Sequence, residues 1–359
     1  MTPPLWAVVF AGGIGSRFWP IATPTEPKPV LALVGGRPLI AETVGRLDPL
    51  IPADRVLVVT SADIAPAIRS VLPAVPAHNV LVEARPMGTA AALAWGVSEV
   101  RRRADPNTPV CAMHADLAAA FPSMLREALF RGMQTALREH TLVAIGVRPT
   151  RAEASFGYIE PGPPLDATDG LAQGGPADVV QFTEKPGPAA AGRLAKSGAL
   201  WHSGIVLGGA QEFLDAMHLY VPEVAVGLTP LAAGDMEAFV SHVRPVSIER
   251  GLLERMGRLL VTAPEFGWDD VGTWAGLRRV RELDDEGNGA LGAVHFVDAS
   301  GNVVHAASGT VVMFGVSQLL VVTRPGLTFV TTLERAADLK PLLDSLPGSA
   351  RINPGSLDA

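Results

Sequence analysis

The residues best suited to chemistry stand where apolar runs end, and they are suited to holding phosphate. The run Trp6 to Phe10 ends in Ala11-Gly12-Gly13-Ile14-Gly15-Ser16-Arg17. Glycine lets the backbone take unusual angles and come close to an anion. Successive amide groups then form a concavity for phosphate oxygens, and Arg17 adds a fork of donors. Lys28, one of only four lysines, follows between Pro27 and Pro29, which hold it in a stiff, non-helical segment. The loop lacks the Gly-Lys-Ser/Thr ending of a Walker A motif. A dinucleotide fingerprint begun at Gly13 would need glycine where Phe18 stands. Taken singly, a Gly-rich stretch is often a tight turn and a lysine a solvated surface charge. Loop, arginine and lysine together favour phosphate binding.

Acids complete the set. His114-Ala115-Asp116 follows the run Pro109 to Met113. An acid at a strand's carboxyl end can hold Mg²⁺ against phosphate oxygens or cap a helix. Gly267-Trp268-Asp269-Asp270-Val271-Gly272-Thr273-Trp274 offers two more, with turn chemistry as the alternative. In Phe182-Thr183-Glu184-Lys185-Pro186 a carboxylate and an ammonium stand side by side at the end of an apolar run and before proline, although such a pair alone is common on surfaces. The eight histidines are scattered without metal-ligand spacing, and no Ser-His-Asp or Cys-His nucleophile arrangement is evident. Cys111 is the sole cysteine, which excludes an internal disulfide or a Cys-based zinc site. Its apolar neighbours make it a small buried residue.

Elements that position these residues follow from periodicity. Strands are predicted at 6–10, 56–60, 80–82, 110–113 and 142–147, alternating with helices at 38–47, 64–72, 90–103 and 124–139. That alternation predicts a mostly parallel sheet with helices on both faces. Ligands bind beyond the carboxyl ends of such strands, so the loops after Phe10 and Met113 should line a site. Pro and Gly crowd residues 161–176, predicting an exposed loop or hairpin turn. A strand at 179–183, a helix from about Ala189, a strand at 204–207 and a helix at 211–220 extend the sheet. Beyond about Glu286, short β-like runs at 293–297, 303–306, 311–314, 319–323 and 327–331 predict a small β domain, structural or for oligomer contact. The chain from about Pro347 reads as a frayed tail.

The stretch Phe10-Ala11-Gly12-Gly13-Ile14-Gly15-Ser16-Arg17-Phe18-Trp19-Pro20, followed by Pro27-Lys28-Pro29, resembles the signature of nucleotidyltransferases that activate sugar 1-phosphates. Within them, Trp19 before Pro20 is similar to the mannose-1-phosphate guanylyltransferases (GDP-mannose pyrophosphorylases). Ordered motifs carry the resemblance from residue 7 to about 275. Phe156-Gly157-Tyr158-Ile159-Glu160 resembles the family's Gly-Tyr-Ile-Glu segment, and Phe182 to Pro186 its Glu-Lys-Pro motif. Trp201-His202-Ser203-Gly204-Ile205 resembles Trp-Asn-Ser-Gly-Ile, with His202 in place of the usual Asn. The imidazole brings a pH dependence near about 6.5 that Asn lacks.

The resemblance implies a Rossmann-like catalytic domain over residues 1–285. It also implies a small β-rich domain over 286–359, similar to the family's left-handed β-helix. It implies transfer from GTP to mannose 1-phosphate, giving GDP-mannose and pyrophosphate with Mg²⁺. Carried over by motif, Arg17, Lys28, Asp116 and Asp270 are catalytic, and Asp116 and Asp270 hold the metal. Asp269 falls at a variable position. Ala11, Gly12, Gly13, Gly15, Ser16, Arg17, Lys28, Gly88 and Thr89 meet the nucleotide; Gly157, Glu184, Lys185 and His202 meet the sugar phosphate. A homodimer follows by the same analogy. The match departs at Glu83-Ala84-Arg85-Pro86-Met87-Gly88-Thr89-Ala90, which lacks the Arg-Asn of the family's Glu-Pro-x-Gly-Arg-Asn-Thr-Ala. Guanine specificity is therefore inferred from Trp19, Trp201 and the Trp268–Trp274 motif, and Thr89 can equally be a helix cap.

Composition sets the outer limits. Hydrophobic residues are 48% of 359, enough for a large core. The net charge of −7 argues against general nucleic-acid binding. No run approaches the roughly 18 apolar residues of a membrane helix. The apolar start lacks a basic segment and breaks at Gly12-Gly13, so no signal peptide and a cytoplasmic setting are expected. Two alternatives stay open: another hexose-1-phosphate nucleotidyltransferase (UTP, dTTP or ATP with glucose 1-phosphate), or a non-catalytic nucleotide-sugar sensing subunit.

Overall fold

The computed structural model describes residues 4–166, 171 and 174–349. Strands β1 (Trp6–Phe10), β2 (Val56–Ser61), β3 (Val80–Glu83) and β4 (Pro109–His114) alternate with helices α1 (Leu39–Leu47), α2 (Ala65–Val71) and α3 (Thr89–Arg103). Next come β5 (Leu117–Ala119), α4 (Pro122–Glu139), β6 (Val143–Val147), β7 (Gly157–Pro164), β8 (Ala177–Glu184), α5 (Pro188–Lys196) and β9 (Leu200–Gly209). Helices α6 (Ala210–Tyr220), α7 (Pro222–Ala232) and α8 (Met236–His242) lead to β10 (Leu260–Thr262), β11 (Trp268–Asp270) and α9 (Trp274–Val280). The chain continues through β12 (Gly289–Val297), β13 (Val303–Phe314), β14 (Leu319–Arg324), β15 (Leu327–Thr332) and α10 (Lys340–Ser345).

Unbroken apolar runs become central strands because helices cover both sheet faces. Alternate residues of β1 feed two cores: Val8 and Phe10 pack in one, Ala7 and Val9 in the other. The main sheet runs β3-β2-β1-β4-β9-β6-β10-β8-β7. Its β3-β2-β1-β4 half is parallel as predicted. The expectation of a mostly parallel sheet is corrected beyond β4. There β9 pairs antiparallel with both β4 and β6, and β7 and β8 pair antiparallel with each other, so the sheet is mixed. Part of the predicted 161–176 turn, and most of the tail from Pro347, lie outside the described residues.

The predicted C-terminal strands form a separate four-stranded sheet, with the runs at 303–306 and 311–314 joined in one strand. Val303 stacks parallel on Gly289 and Leu320 parallel on Val303. So short a return between parallel neighbours makes the chain coil onto itself. This sheet is tied to the glycine loop's flank. Phe18, Ile21, Leu33, Trp274, Val303, Leu320 and Val322 share one buried cluster. Buried Arg281 donates to Leu33 O at 2.9 Å, Val304 O at 3.1 Å and His305 Nδ1 at 3.0 Å. Burial pushes the guanidinium down to about 10. Burial, then the charge of Arg281, brings His305 to about 4, so its ring is neutral and accepts that bond. Among the described residues, no helix is long and apolar enough to cross a membrane.

Candidate active site

The loop after β1 opens into a cavity of about 520 Å³. Ala11 donates its amide to Val59 O at 2.9 Å, which ends the strand. The amides of Gly12, Gly13 and Gly15 donate to no described residue, so they remain available to an anion. Gly15 has φ 81°, and a Cβ there would lie 2.3 Å from Lys28 Cβ. At Gly13 a Cβ would meet nothing within 4 Å, so the neighbouring protein does not demand glycine at that point. Lys28 is drawn inward: its amide donates to Ile14 O at 2.8 Å, and the residue is 7% exposed. Lys28 Nζ donates to Asp116 Oδ2 and lies 5.2 Å from the centre of the Phe18 ring.

Ala11, Gly12, Gly13, Gly15, Ser16, Arg17, Lys28, Gly88 and Thr89, the nine residues assigned to the nucleotide, all line this cavity. Gly88 has φ 79°, and a Cβ there would sit 2.5 Å from Val246 O. Thr89 is the first residue of α3; its hydroxyl accepts the Ile248 amide at 2.9 Å. Glu83 and Pro86 also line this space, and sequence reasoning left both out of the site. Burial raises the Glu83 carboxyl, while a hydrogen bond from the Met87 amide holds it down in part.

A second cavity, about 390 Å³, abuts the first and shares Arg17, His114 and Asp116 with it. Gly157, Glu184, Lys185 and His202, assigned to the sugar phosphate, all line it, as does Asp270. A Cβ at Gly157 would fall 2.9 Å from Glu184 Oε2, so glycine leaves that carboxylate its place. Lys185 Nζ bridges to Glu184 Oε1 at 2.8 Å from a left-handed backbone, φ 49°. Such non-glycine positions cluster at functional sites. Below them, Phe156 meets Trp201 at 5.1 Å and Trp268 at 5.5 Å, edge to face.

The two metal candidates converge through a ladder that the sequence did not reveal. β5 pairs antiparallel with β11 and sets Asp270 opposite Leu117, the neighbour of Asp116. Burial opposes charge on Asp116, but Lys28 and then His114 hold its carboxyl below the usual range. Burial and then the charge of Asp116 raise Asp270. A Cβ at Gly272 would lie 2.1 Å from Asp270 Oδ2. Asp269 is already paired, to Arg279 at 2.8 and 2.9 Å.

One expectation changes, that for His202. Trp19 lines neither cavity; it is 4% exposed and packs edge-on against Phe329 at 5.4 Å. Its place in the signature is structural, joining the loop's flank to the C-terminal sheet. His202 does not titrate near 6.5. Burial takes it to about 4 against the pull of Glu249, so the ring is neutral at working pH.

The family described as nucleotidyl transferase matches residues 6–287. Mannose-1-phosphate guanylyltransferase ManC of Salmonella typhimurium strain LT2 is 29% identical, over 97% of this chain and 74% of that relative. Mannose-1-phosphate guanylyltransferase of Escherichia coli K12 is 27% identical over the same shares. Among solved structures, one described as mannose-1-phosphate geranyltransferase from Thermus thermophilus is 30% identical with a TM-score of 0.87. It covers 95% of this chain and 98% of that one.

Proposed function

We propose that this chain, which belongs to the nucleotidyl transferase family, joins GTP to mannose 1-phosphate to give GDP-mannose and pyrophosphate. The observation that carries this reading is the abutment of two cavities at Arg17, His114 and Asp116. One offers free amides and cations for a triphosphate. The other offers a carboxylate and an ammonium for a sugar phosphate. Relatives named for this activity align along nearly the whole chain.

The chemistry is an attack of the sugar phosphate on the α-phosphorus, with pyrophosphate leaving. No general base is required, because a phosphate with a second pKa of about 6 is already largely dianionic. Nucleophile and target repel, so positioning and charge stabilisation do most of the work. The amides of Gly12, Gly13 and Gly15 hold triphosphate oxygens, while Arg17 and Lys28 place positive charge at the transferring group. Lys185 meets the sugar's phosphate, and Glu184 accepts hydroxyls. Glu83 supports the choice of guanine, whose edge presents adjacent N–H donors to a carboxylate. Its neighbour Gly88-Thr89, without Arg-Asn, favours the alternative of another hexose-1-phosphate nucleotidyltransferase.

Asp116 and Asp270 fit Mg²⁺. Asp116 raises the cost of ionising Asp270, and Mg²⁺ needs only one or two carboxylates beside phosphates and water. When bound, the cation offsets charge on the phosphates. Turnover is therefore expected to vanish in EDTA and return with Mg²⁺. The Asp270 carboxyl, raised above its usual value, holds its proton to higher pH, so the Mg²⁺ needed for half-maximal rate should rise as pH falls. Initial rates across pH and Mg²⁺ check this, and full turnover in EDTA would contradict it.

The same reading divides the chain into a catalytic domain, 1–285, and a β-rich domain, 286–359, whose coil is left-handed. The separate C-terminal sheet supports that division. Exposed Val312, Phe314 and Val330 on this sheet support a homodimer. The setting is cytoplasmic, where nucleoside triphosphates are made and used.

A further inference from the structure

A hexose 1-phosphate carries four free hydroxyls, and each is a donor that needs an acceptor once buried. Glu184 can serve about two of them with its pair of oxygens. The sugar-side cavity contains another carboxylate that no motif identified. Glu249 lines it with Glu184 and His202, and its side chain is 13% exposed. His114 Nε2 stands 3.7 Å from Glu249 Oε1, and the carboxylate lines the cavity beside it.

The backbone presents this acid deliberately. Residues Glu249–Leu253 form a π-helical turn, a departure that costs regular hydrogen bonding and recurs at functional sites. The turn is held from both sides. Ahead of it, the Ile248 amide donates to Thr89 Oγ1 at 2.9 Å, and Val246 O accepts the Ala90 amide at 3.2 Å. Just after it, Glu254 Oε1 accepts the amide of Glu184 at 2.7 Å. One short segment therefore fixes Glu249 and braces the backbone of the other sugar-side acid. Burial disfavours charge on Glu249, but His114 overrides it and keeps the carboxyl well below its usual range. This ionised acceptor shares its cavity with the half-buried ring of Trp268, which offers a sugar an apolar wall beside the charge.

We propose that Glu249 is a second carboxylate that accepts hydroxyls of the sugar and helps set which hexose is taken, an assignment that rests on the sugar-phosphate reading of this cavity. His114 acts through Glu249 as its positioning partner.

The test is steady-state kinetics of wild type, Glu249→Gln and Glu249→Ala with mannose 1-phosphate and its monodeoxy analogues. Both variants are expected to raise KM for mannose 1-phosphate at least ~10-fold while KM for GTP stays within about twofold, the scale of one hydrogen bond to a charged group. In the wild type, deleting the hydroxyl that Glu249 accepts should be costly; in Glu249→Ala that penalty should disappear, and the penalties for other hydroxyls should remain. A uniform loss across all analogues, or a rise in KM for GTP alone, would overturn the assignment. If neither variant shows a cooperative melting transition, Glu249→Asp keeps the charge beside His114 but withdraws the oxygens. Unaltered hydroxyl discrimination in that variant would likewise overturn it. Should the wild type turn over another sugar 1-phosphate and not mannose 1-phosphate, the substrate reading fails, and the same deoxy series built on that sugar decides the role of Glu249.

Discussion

Lys28→Ala is expected to lower kcat/KM by at least ~10²-fold, the scale for removing one preorganised charge contact. Two losses combine in this variant. The triphosphate loses an ammonium fixed between the glycine loop and Asp116. Asp116 loses the ion partner that holds its half-buried carboxyl below the usual range, so the metal site is weakened too. The melting temperature separates this from misfolding, because the Lys28 stem also packs against Gly15. Wild-type kinetics in a folded Lys28→Ala protein would remove the lysine from the site.

Asp270→Asn is expected to cost at least ~10²-fold in kcat/KM as well, with a higher Mg²⁺ requirement. Asn keeps the shape but not the charge, so the change isolates electrostatics. The adjacent Asp269→Asn is the control. Asp269 is engaged by Arg279 at 2.8 and 2.9 Å, so its loss should act on stability more than on turnover. Parallel Mg²⁺ titrations and thermal melts of the two variants check the contrast. Equal activity losses at the two positions would mean that the ladder between β5 and β11 does not sort them as described.

The sequence made the N-terminal half legible because its signals are local. An apolar run followed by glycines announces β1 and its loop, and the buried strands β2 and β4 read as unbroken apolar stretches for the same reason. Local patterns do not reveal which strands pair. Nothing within 200–209 states that β9 will enter antiparallel between β4 and β6, so the sheet was expected to be mostly parallel. The convergence of Asp116 and Asp270 depends on a three-residue ladder between segments some 150 residues apart. The motif resemblance named both acids, but only pairing explains their meeting. Trp19 shows the opposite case: it marks the family signature by position, yet its ring serves packing against Phe329. Glu249 had no local signal at all. It lies in a π-helical turn outside every motif, and its place in the cavity comes from the docking of residues 246–249 on the start of α3.

The central claim is the choice of nucleotide and sugar, and one measurement reaches it directly. Purified protein is incubated with Mg²⁺, each of GTP, ATP, UTP and dTTP in turn, and mannose 1-phosphate or glucose 1-phosphate, and pyrophosphate release is followed with identification of the sugar nucleotide. GTP with mannose 1-phosphate should give the highest kcat/KM, with GDP-mannose as the product. Turnover of UTP or dTTP with glucose 1-phosphate, and none of GTP with mannose 1-phosphate, would contradict it.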